Sequence, residues 1–162
     1  MAPPADLHDC AMRTLDRIPP CSGTYILKFR LDRDRNIRIG ALGSLKFSSG
    51  IYLYVGSALG PGGLRARLKH HLAMSPRPHW HADYLRRYSR LSSVWLSAGT
   101  DRRECSWAAM LSELPQIDSF GHGFGSSDCR CPSHLLRVVG PASQLRRTIG
   151  EHLPQQAVRI RL

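Results

Sequence analysis

Apolar residues recur along the chain with two different periods, which predict a small sheet with helices packed on it. Strand-like alternation is clearest in 23–31, where Tyr25 and three further apolar residues share one face. Residues 50–57 form a second predicted strand, with Tyr52 and Tyr54 on one face. The other predicted elements are one or two short strands in 37–47, strands at 91–99 and 134–140, and helices at 5–18, 62–72, 78–88, 101–114 and 142–152.

The order of these elements predicts an α+β fold, in which a small sheet, antiparallel at its start, is covered by α-helices. The chain has 162 residues, which suggests one domain with a single core. No repeat and no linker divides the sequence. We therefore expect one domain over 1–162, with an N-terminal helix at 5–18 and a C-terminal extension at 141–162.

The balance of charges points to a polyanionic partner. Lys and Arg number 23 against 12 Asp and Glu, which gives a formal net charge of +11. Such an excess repels itself in a compact protein unless an anion is the usual partner. Nucleic acid, with DNA first, is therefore the expected partner. An anionic membrane surface is the weaker alternative, because no long basic amphipathic helix is visible.

Targeting and redox signals favour a cytoplasmic location. The sequence contains no run of about 18 apolar residues, so no transmembrane helix and no membrane partner are expected. Residues 1–20 lack the apolar core of a signal peptide. In the reducing cytoplasm, cysteines stay free or bind metal. The cysteines are Cys10, Cys21, Cys105, Cys129 and Cys131.

The helix at 62–72 carries two chemical groups where a solvated helix would not place them. Its leucines form an apolar stripe; Arg67 lies on the flank of that stripe and His71 almost within it. One interpretation is structural, with Arg67 extended along the edge of the core and His71 as a hydrogen-bonded core histidine. The other is functional, because a glycine-rich turn precedes the helix and helix N-termini attract phosphate.

The position of Glu104 in the sequence is also unusual for a charged residue. It shares a helical face with Trp107 and Leu111, which predicts that its carboxylate points to the buried side of the first turn. A buried carboxylate is costly unless it is paired, caps a helix or binds a metal. An ion pair with Arg102 or Arg103 is the structural alternative, but both arginines project from other sides of the helix than Glu104. We therefore favour a functional role.

Taken in chain order, these residues resemble a known pattern. The pattern consists of Gly-Thr-Tyr at 23–25, Tyr-Val-Gly at 54–56, Arg67, His71 and Glu104. On these residues the chain resembles the GIY-YIG endonuclease superfamily, and the resemblance covers most of residues 22–140. It is nearest to the Uri-type subgroup, also known as the DUF123 domain, which is sometimes fused to endonuclease III.

The resemblance implies a three-stranded antiparallel core flanked by helices and a phosphodiesterase site that uses one divalent metal. In such a site Glu104 binds Mg²⁺ or Mn²⁺, Arg67 contacts the scissile phosphate, and Tyr54 lies by the attacking water as a candidate general base. Tyr25 supports the same site, and His71 matches a histidine present in some members. An arginine and a metal would stabilise charge on the phosphoryl oxygens, and a nearby cation is expected to lower the pKa of Tyr54.

Further candidates for substrate binding surround these residues. They are Gly56, Ser57, Gly63, Arg65, Lys69, Ser126, Ser127 and Arg130. The chain also departs from the family pattern: Thr24 replaces isoleucine in the first tripeptide, and Ser57 stands where some repair nucleases carry lysine. Residues 32–50 are inserted between the two strands.

Residues 50–52 spell Gly-Ile-Tyr, the letters of the first tripeptide, but they lie in the same strand as Tyr54. A single strand cannot pair with itself, so 23–25 is the better first tripeptide. We expect strand pairing to bring Tyr25 beside Tyr54. Tyr52 is expected to line the substrate surface without a catalytic role.

A loop rich in cysteine and histidine is a candidate zinc site. Cys129, Cys131 and His134 place three soft or borderline ligands within six residues. Candidates for the fourth ligand are His122, Cys105, His79 and His81. The alternative is a loop of free thiols, in which Ser126, Ser127 and Arg130 meet phosphate.

The leading hypothesis for function is a metal-dependent endonuclease that hydrolyses phosphodiester bonds in DNA, in repair or processing, with single-stranded or structured DNA as the expected form. The alternative is a non-catalytic nucleic-acid-binding module of the same fold, stabilised by zinc. The intact set of Tyr25, Tyr54, Arg67 and Glu104 argues against that alternative, because a binding module has no need of a glutamate on a buried helix face. A third hypothesis is a zinc-stabilised domain that docks onto a repair protein.

Overall fold

The computed structural model describes residues 13–162, and an antiparallel six-stranded sheet lies at its centre. In chain order the strands are β1 (Gly23–Leu31), β2 (Arg35–Arg38), β3 (Ser44–Phe47), β4 (Gly50–Ala58), β5 (Arg90–Ala98), β6 (Ile117–Ser119), β7 (Leu135–Val138) and β8 (Val158–Arg161). The helices are α1 (Gly63–Ala73), α2 (His81–Arg86), α3 (Glu104–Ser112) and α4 (Ala142–His152), with a 3₁₀ turn at Gly40–Leu42. The large sheet has the order β6-β7-β4-β1-β5-β8, and β2 and β3 form a separate hairpin.

The three longest strands, β4, β1 and β5, form the middle of the sheet. All its pairings are antiparallel, and β1 pairs with β4 on one side and β5 on the other. Because β1 has a strand on each side and an apolar cluster on each face, nearly all of its residues are buried. This confirms the predicted α+β class, with three core strands and added strands at the edges.

Apolar layers cover both faces of the sheet. On the first face, Leu64 and Leu68 of α1 and Leu85 of α2 join the cluster that contains Tyr25 and Tyr54. On the second face, α3 and α4 pack with a separate cluster of apolar residues from β1, β4 and β5. Burial of apolar side chains in these two layers is the main force that holds the helices on the sheet.

The inserted segment 32–50 folds as the β2–β3 hairpin. Ile37 and Phe47 are almost fully buried in the first-face cluster, and the hairpin contacts α2. Residues of the insertion therefore extend the hydrophobic layer and do not form a free loop.

Tyr52 does not line a substrate surface, which corrects the expectation from sequence. Its side chain is fully buried, and its ring packs edge-on against Phe47 and Phe120 at centroid distances of 5.3 Å. Its hydroxyl donates to the carbonyl of Ser48 at 2.8 Å. The hairpin and a later loop cover this part of the face, and the alternation of β4 could not show that.

Several element boundaries differ from those predicted. Residues 13–16 are helical, and the part of the predicted helix 5–18 before residue 13 lies outside the described residues. The helix predicted at 101–114 begins at Glu104, with Arg103 at the N-cap. Strands β6 and β8 were not predicted, because three or four residues give too little alternation to recognise. No helix within 13–162 has the length and apolar character needed to span a membrane.

Candidate active site and metal centre

A cavity of 410 Å³ opens where β4 ends, and its lining is mainly polar. The walls come from the end of β4, from α1, from the starts of α2 and α3, and from the Cys/His loop, which we define as residues 120–134. Three of the predicted catalytic residues, Tyr54, Arg67 and Glu104, line it. Tyr25 and His71 lie behind the wall and are almost completely buried.

The β1–β4 register explains how the two tyrosines meet. Tyr25 pairs with Gly56, and Leu27 pairs with Tyr54. The two tyrosines therefore lie on the same face but on a diagonal, two positions apart, and not directly opposite each other. The ring of Tyr25 lies over Gly56, where a Cβ would come within 2.6 Å of the ring.

This contact predicts that Gly56→Ala destabilises the protein by about 1–3 kcal/mol, because the new methyl group overpacks against a buried ring. The ring cannot move away freely, since its hydroxyl is hydrogen-bonded to His71. Urea denaturation measures the effect. Gly60→Ala is the matched control, because nothing lies within 4 Å of the place its new methyl group would take; equal stability of the two variants would contradict the packing argument.

Arg67 extends from α1 into the cavity and stacks on an aromatic ring. Its guanidinium carbon lies 4.0 Å from the ring centroid of Trp80, which precedes α2. A cation–π contact of this kind stabilises the charge and limits the motion of the side chain. The planar donor fork of Arg67 is thereby held at the cavity wall, in the position suited to a bidentate anion.

Tyr54 is fixed by packing on several sides. Gly125 of the Cys/His loop lies so close that a Cβ there would be 2.7 Å from the ring, and the rings of Phe124 and His71 contact it edge-on. Burial raises the pKa of Tyr54 to about 12, although the nearby Arg67 acts in the opposite direction. The expected lowering of this pKa is therefore outweighed by burial, and the phenol is neutral at pH 7.

A chain of hydrogen-bonding groups leads from Tyr25 away from the cavity. The Tyr25 hydroxyl lies 3.0 Å from Nε2 of His71, and Nδ1 of His71 lies 3.4 Å from a carboxylate oxygen of Asp83. A neutral His71 that carries its proton on Nδ1 accepts a hydrogen bond from Tyr25 at Nε2 and keeps its N–H beside the Asp83 carboxylate. Burial lowers the pKa of His71, although Asp83 acts to raise it, which agrees with the neutral form. Burial also raises the pKa of Tyr25.

Asp83 ties α1 to the start of α2. Its Oδ2 accepts hydrogen bonds from the backbone N–H groups of His79 at 2.8 Å and Trp80 at 2.9 Å, and lies 2.9 Å from Nε2 of His70. Burial would raise the pKa of Asp83, but the hydrogen bonds from His71, His70 and the two backbone groups hold it well below its usual range. The carboxylate therefore fixes Trp80, and with it the surface on which Arg67 stacks.

These shifts predict that the free energy of unfolding decreases as the pH falls below about 6.5, the unfolded pKa of histidine. The folded pKa of His71 is lowered, so its contribution is complete above the unfolded pKa and is lost as protonation favours the unfolded chain. The depressed pKa of Asp83 adds a second loss below about pH 4. Urea titrations from pH 7.5 to 5 measure the first loss.

For His71→Gln we expect a lower free energy of unfolding at pH 7.5. The slope of that free energy against pH should also be smaller than in wild type, by up to about 1.4 kcal/mol per pH unit. His81, whose pKa is also lowered by burial, leaves a residual slope. His152→Gln, on the exposed end of α4, is the control and should keep the wild-type slope. An unchanged slope in His71→Gln would contradict the assignment.

Four metal-ligating side chains meet beside the cavity. The ligand atoms of Cys105, Cys129, Cys131 and His134 all lie within 4.8 Å of one another. Cys105 comes from the first turn of α3, and the other three come from the Cys/His loop. The predicted trio is therefore confirmed as a cluster, and Cys105 is the member that completes it.

The other three candidates for the fourth ligand, all histidines, lie outside the cluster. His81 accepts a hydrogen bond through Nδ1 from the backbone N–H of Gly125 at 2.9 Å, His79 lines the cavity outside the cluster, and His122 is exposed. Sequence spacing could not choose among them, because the choice depends on how the loop returns over α3.

The chemistry of this cluster suits a metal ion. His134 is buried, and its Nε2 lies 3.6 Å from the sulfur of Cys105 and 3.5 Å from that of Cys129. Burial and the neighbouring thiols raise the pKa of Cys105 to about 12. Exchange of the protons of crowded thiols for one cation is energetically favourable, and a Cys₃His set with four ligands is a usual environment of structural zinc. The cluster could therefore hold a metal, with zinc favoured.

The predicted substrate-binding residues divide into two groups. Gly56, Ser57 and Ser127 line the cavity. The others do not: Gly63 packs against the backbone of Cys21, Arg65 donates to the carbonyl of Ile18 at 2.7 Å, Ser126 is buried, and Lys69 and Arg130 are exposed elsewhere. Arg65 is thus partly buried and not directed outward. The role of each of these residues in substrate binding stays a prediction.

Sequence reasoning missed two residues that organise the site. Trp80 and Asp83 are absent from the predicted site, but Trp80 supports Arg67, and Asp83 joins α1 to α2 through its polar contacts. The available signal was weak: an acid three residues after Trp80, at a helix start, is placed to accept hydrogen bonds from the first backbone N–H groups.

Comparison with known proteins gives one match. Residues 24–154 match the model of a protein family described as a domain of unknown function, DUF123. Searches of curated proteins and of solved structures found no match.

Proposed function

The chain belongs to the DUF123 family, and we propose that it is a metal-dependent endonuclease of the GIY-YIG type that hydrolyses phosphodiester bonds in DNA. The observation that carries this proposal is the carboxylate of Glu104. It lines the same cavity as Arg67, and its Oε2 is buried with no hydrogen-bond partner among the described residues. A buried carboxylate oxygen without a partner is costly unless a cation binds there.

Glu104 would hold Mg²⁺ or Mn²⁺, since both prefer oxygen ligands and one carboxylate leaves positions for water and phosphate. Bound there, the ion would supply charge stabilisation at the phosphate and a more acidic water. Glu104 itself is placed by the first turn of α3, next to Cys105 of the metal centre. The two sites would differ in ligand chemistry, hard oxygen in one and soft sulfur in the other.

Arg67 is the proposed ligand of the phosphate. Its guanidinium, held on Trp80, can donate two parallel hydrogen bonds to phosphoryl oxygens. Negative charge increases on these oxygens in the transition state, so a preorganised arginine stabilises that state more than the ground state. The mainly polar lining of the cavity agrees with a charged substrate.

Tyr54 is proposed to orient the attacking water or a phosphate oxygen by hydrogen bonding. Its phenol is neutral at pH 7 in the protein, so it is better suited to donate a proton into a hydrogen bond than to remove one. Tyr25 and His71 support the wall behind it. The Cys₃His cluster is proposed to hold a structural zinc ion that fixes the Cys/His loop against Tyr54. A cytoplasmic role in DNA repair or processing, with other repair proteins as partners, follows from this activity as part of the proposal.

The test is cleavage of end-labelled DNA. Single-stranded, duplex and flap substrates are incubated with the purified protein and Mg²⁺ or Mn²⁺, and with no added divalent ion. The proposal predicts internal cuts that need the metal. Binding of these substrates without cleavage under either metal would overturn it and would favour a non-catalytic nucleic-acid-binding module. Repeating the assay with Glu104→Gln identifies any activity from a co-purifying nuclease.

A further inference from the structure

We propose that a second cavity binds a single-stranded segment of the nucleic acid. We call it the Tyr88 cavity; it has a volume of 420 Å³ and is lined by Arg38, Gly40, Tyr84, Arg87 and Tyr88. The inference rests on the proposed function for the class of ligand, and it adds the form of nucleic acid and the place where the strand lies outside the catalytic cavity.

The lining of the Tyr88 cavity has the chemistry of a stacking site. It contains two arginines, two tyrosines and no acid. Tyr88 is 50% exposed, so part of its ring is accessible to a ligand, and the guanidinium carbon of Arg35 lies 5.6 Å from its ring centroid. Aromatic faces beside arginines bind unstacked bases and neighbouring phosphates.

The position of the cavity relates it to the candidate active site. His81, the first residue of α2, lines the catalytic cavity, and Arg87 follows the last residue of the same helix and lines the Tyr88 cavity. Six helical residues rise by about 9 Å, or about three nucleotide steps of 3.4 Å along a strand. One short helix thus contributes a residue to each cavity, and these two residues are separated by about 9 Å along the helix axis.

The inserted segment 32–50 builds one wall of this cavity. Arg38 and Gly40 belong to the insertion, and Arg35 on β2 stacks on Tyr88. Gly40 has a positive φ of 46° and lies close to Tyr84, whose hydroxyl would be 3.2 Å from an added Cβ. The hairpin therefore brings two arginines to a surface that α2 alone would leave with one, which gives the insertion a role in binding.

The stacking surface favours a single strand over a duplex. In a duplex the base faces are already stacked on one another, and only edges and phosphates are accessible, whereas a single strand can turn a base onto an exposed ring. An acidic protein segment would satisfy the arginines but would have no use for the ring of Tyr88.

The experiment measures binding by fluorescence anisotropy, without added divalent ion so that no cleavage occurs. A labelled 12-nucleotide single strand and a matched duplex are titrated with wild type, Tyr88→Ala, Tyr88→Phe and Arg38→Gln. We expect Tyr88→Ala to weaken single-strand binding by about 5- to 150-fold and duplex binding by less than about twofold, while Tyr88→Phe binds like wild type. Arg38→Gln should reduce the slope of log affinity against log salt by about 0.7.

Arg146→Gln, which removes one charge from α4 on the other face of the sheet, is the control and should keep wild-type affinity. Wild-type binding of the single strand by Tyr88→Ala, or equal losses for single strand and duplex, would overturn the proposal. These outcomes are independent of catalysis: if Tyr88→Ala binds the single strand like wild type while the wild-type protein cuts DNA with Mg²⁺ or Mn²⁺, the single-strand site fails and the proposed function stands.

Discussion

Glu104→Gln is expected to lower metal-dependent cleavage by about 10²- to 10³-fold, the usual loss when one group that stabilises transition-state charge is removed. The amide has the same shape as the carboxylate but carries no charge, so it binds a divalent cation far less well. Because Oε2 of Glu104 has no hydrogen-bond partner among the described residues, the substitution breaks no hydrogen bond to that oxygen. Substrate affinity measured without divalent ion should stay within about twofold.

Two measurements make this prediction specific. Single-turnover cleavage across a range of Mn²⁺ concentrations shows whether added metal recovers part of the lost rate, as a weakened cation site requires. Glu113→Gln is the matched control, since Glu113 is an exposed glutamate at the other end of α3. Wild-type cleavage by Glu104→Gln, or an equal loss in Glu113→Gln, would remove Glu104 from the site.

Cys129→Ser is expected to remove the bound metal and to lower Tm by about 10 °C. Loss of a structural metal is among the most destabilising single changes, on the order of 4–5 kcal/mol, and each kcal/mol corresponds to roughly 2–4 °C in a domain of this size. The half-buried Cys129 lies 3.5 Å from Nε2 of His134, so its loss leaves three ligands for an ion that requires four.

Metal content by elemental analysis and thermal unfolding test this second prediction together. Wild-type protein purified without chelator should contain one equivalent of zinc. Cys21→Ser is the matched control, because Cys21 is an exposed free cysteine outside the cluster; it should keep both zinc and Tm. Wild-type protein without stoichiometric zinc, or a Tm in Cys129→Ser equal to that of Cys21→Ser, would contradict the assignment.

The sequence predicted those parts of the site that depend on local periodicity. Arg67 and His71 could be placed on one flank of α1 from the helical repeat, and Glu104 on the inward side of α3, even though the start of that helix was predicted three residues early. The predicted apolar stripe was less accurate, because His71 is buried where Leu72 is only partly so. A histidine with partners on both ring nitrogens can replace a leucine in such a position.

Features that depend on how distant segments meet could not be predicted. The stacking of Arg67 on Trp80 needs α2 to fold back against α1, and Asp83 makes that contact through hydrogen bonds to both segments. The choice of Cys105 as the fourth ligand likewise needs the Cys/His loop to pass over the first turn of α3. In each case the residue types were visible in the sequence, but their partners were set by tertiary packing.

The adjacency of Glu104 and Cys105 has a mechanical consequence. Successive residues of an α-helix point about 100° apart around its axis, so the two side chains leave α3 in different directions, one toward the cavity and one toward the Cys₃His cluster. A sulfur held by the cluster fixes the rotation of α3 about its own axis. The direction of the Glu104 carboxylate therefore depends on the anchoring of the neighbouring residue, together with the packing of Trp107 and Leu111 in the core.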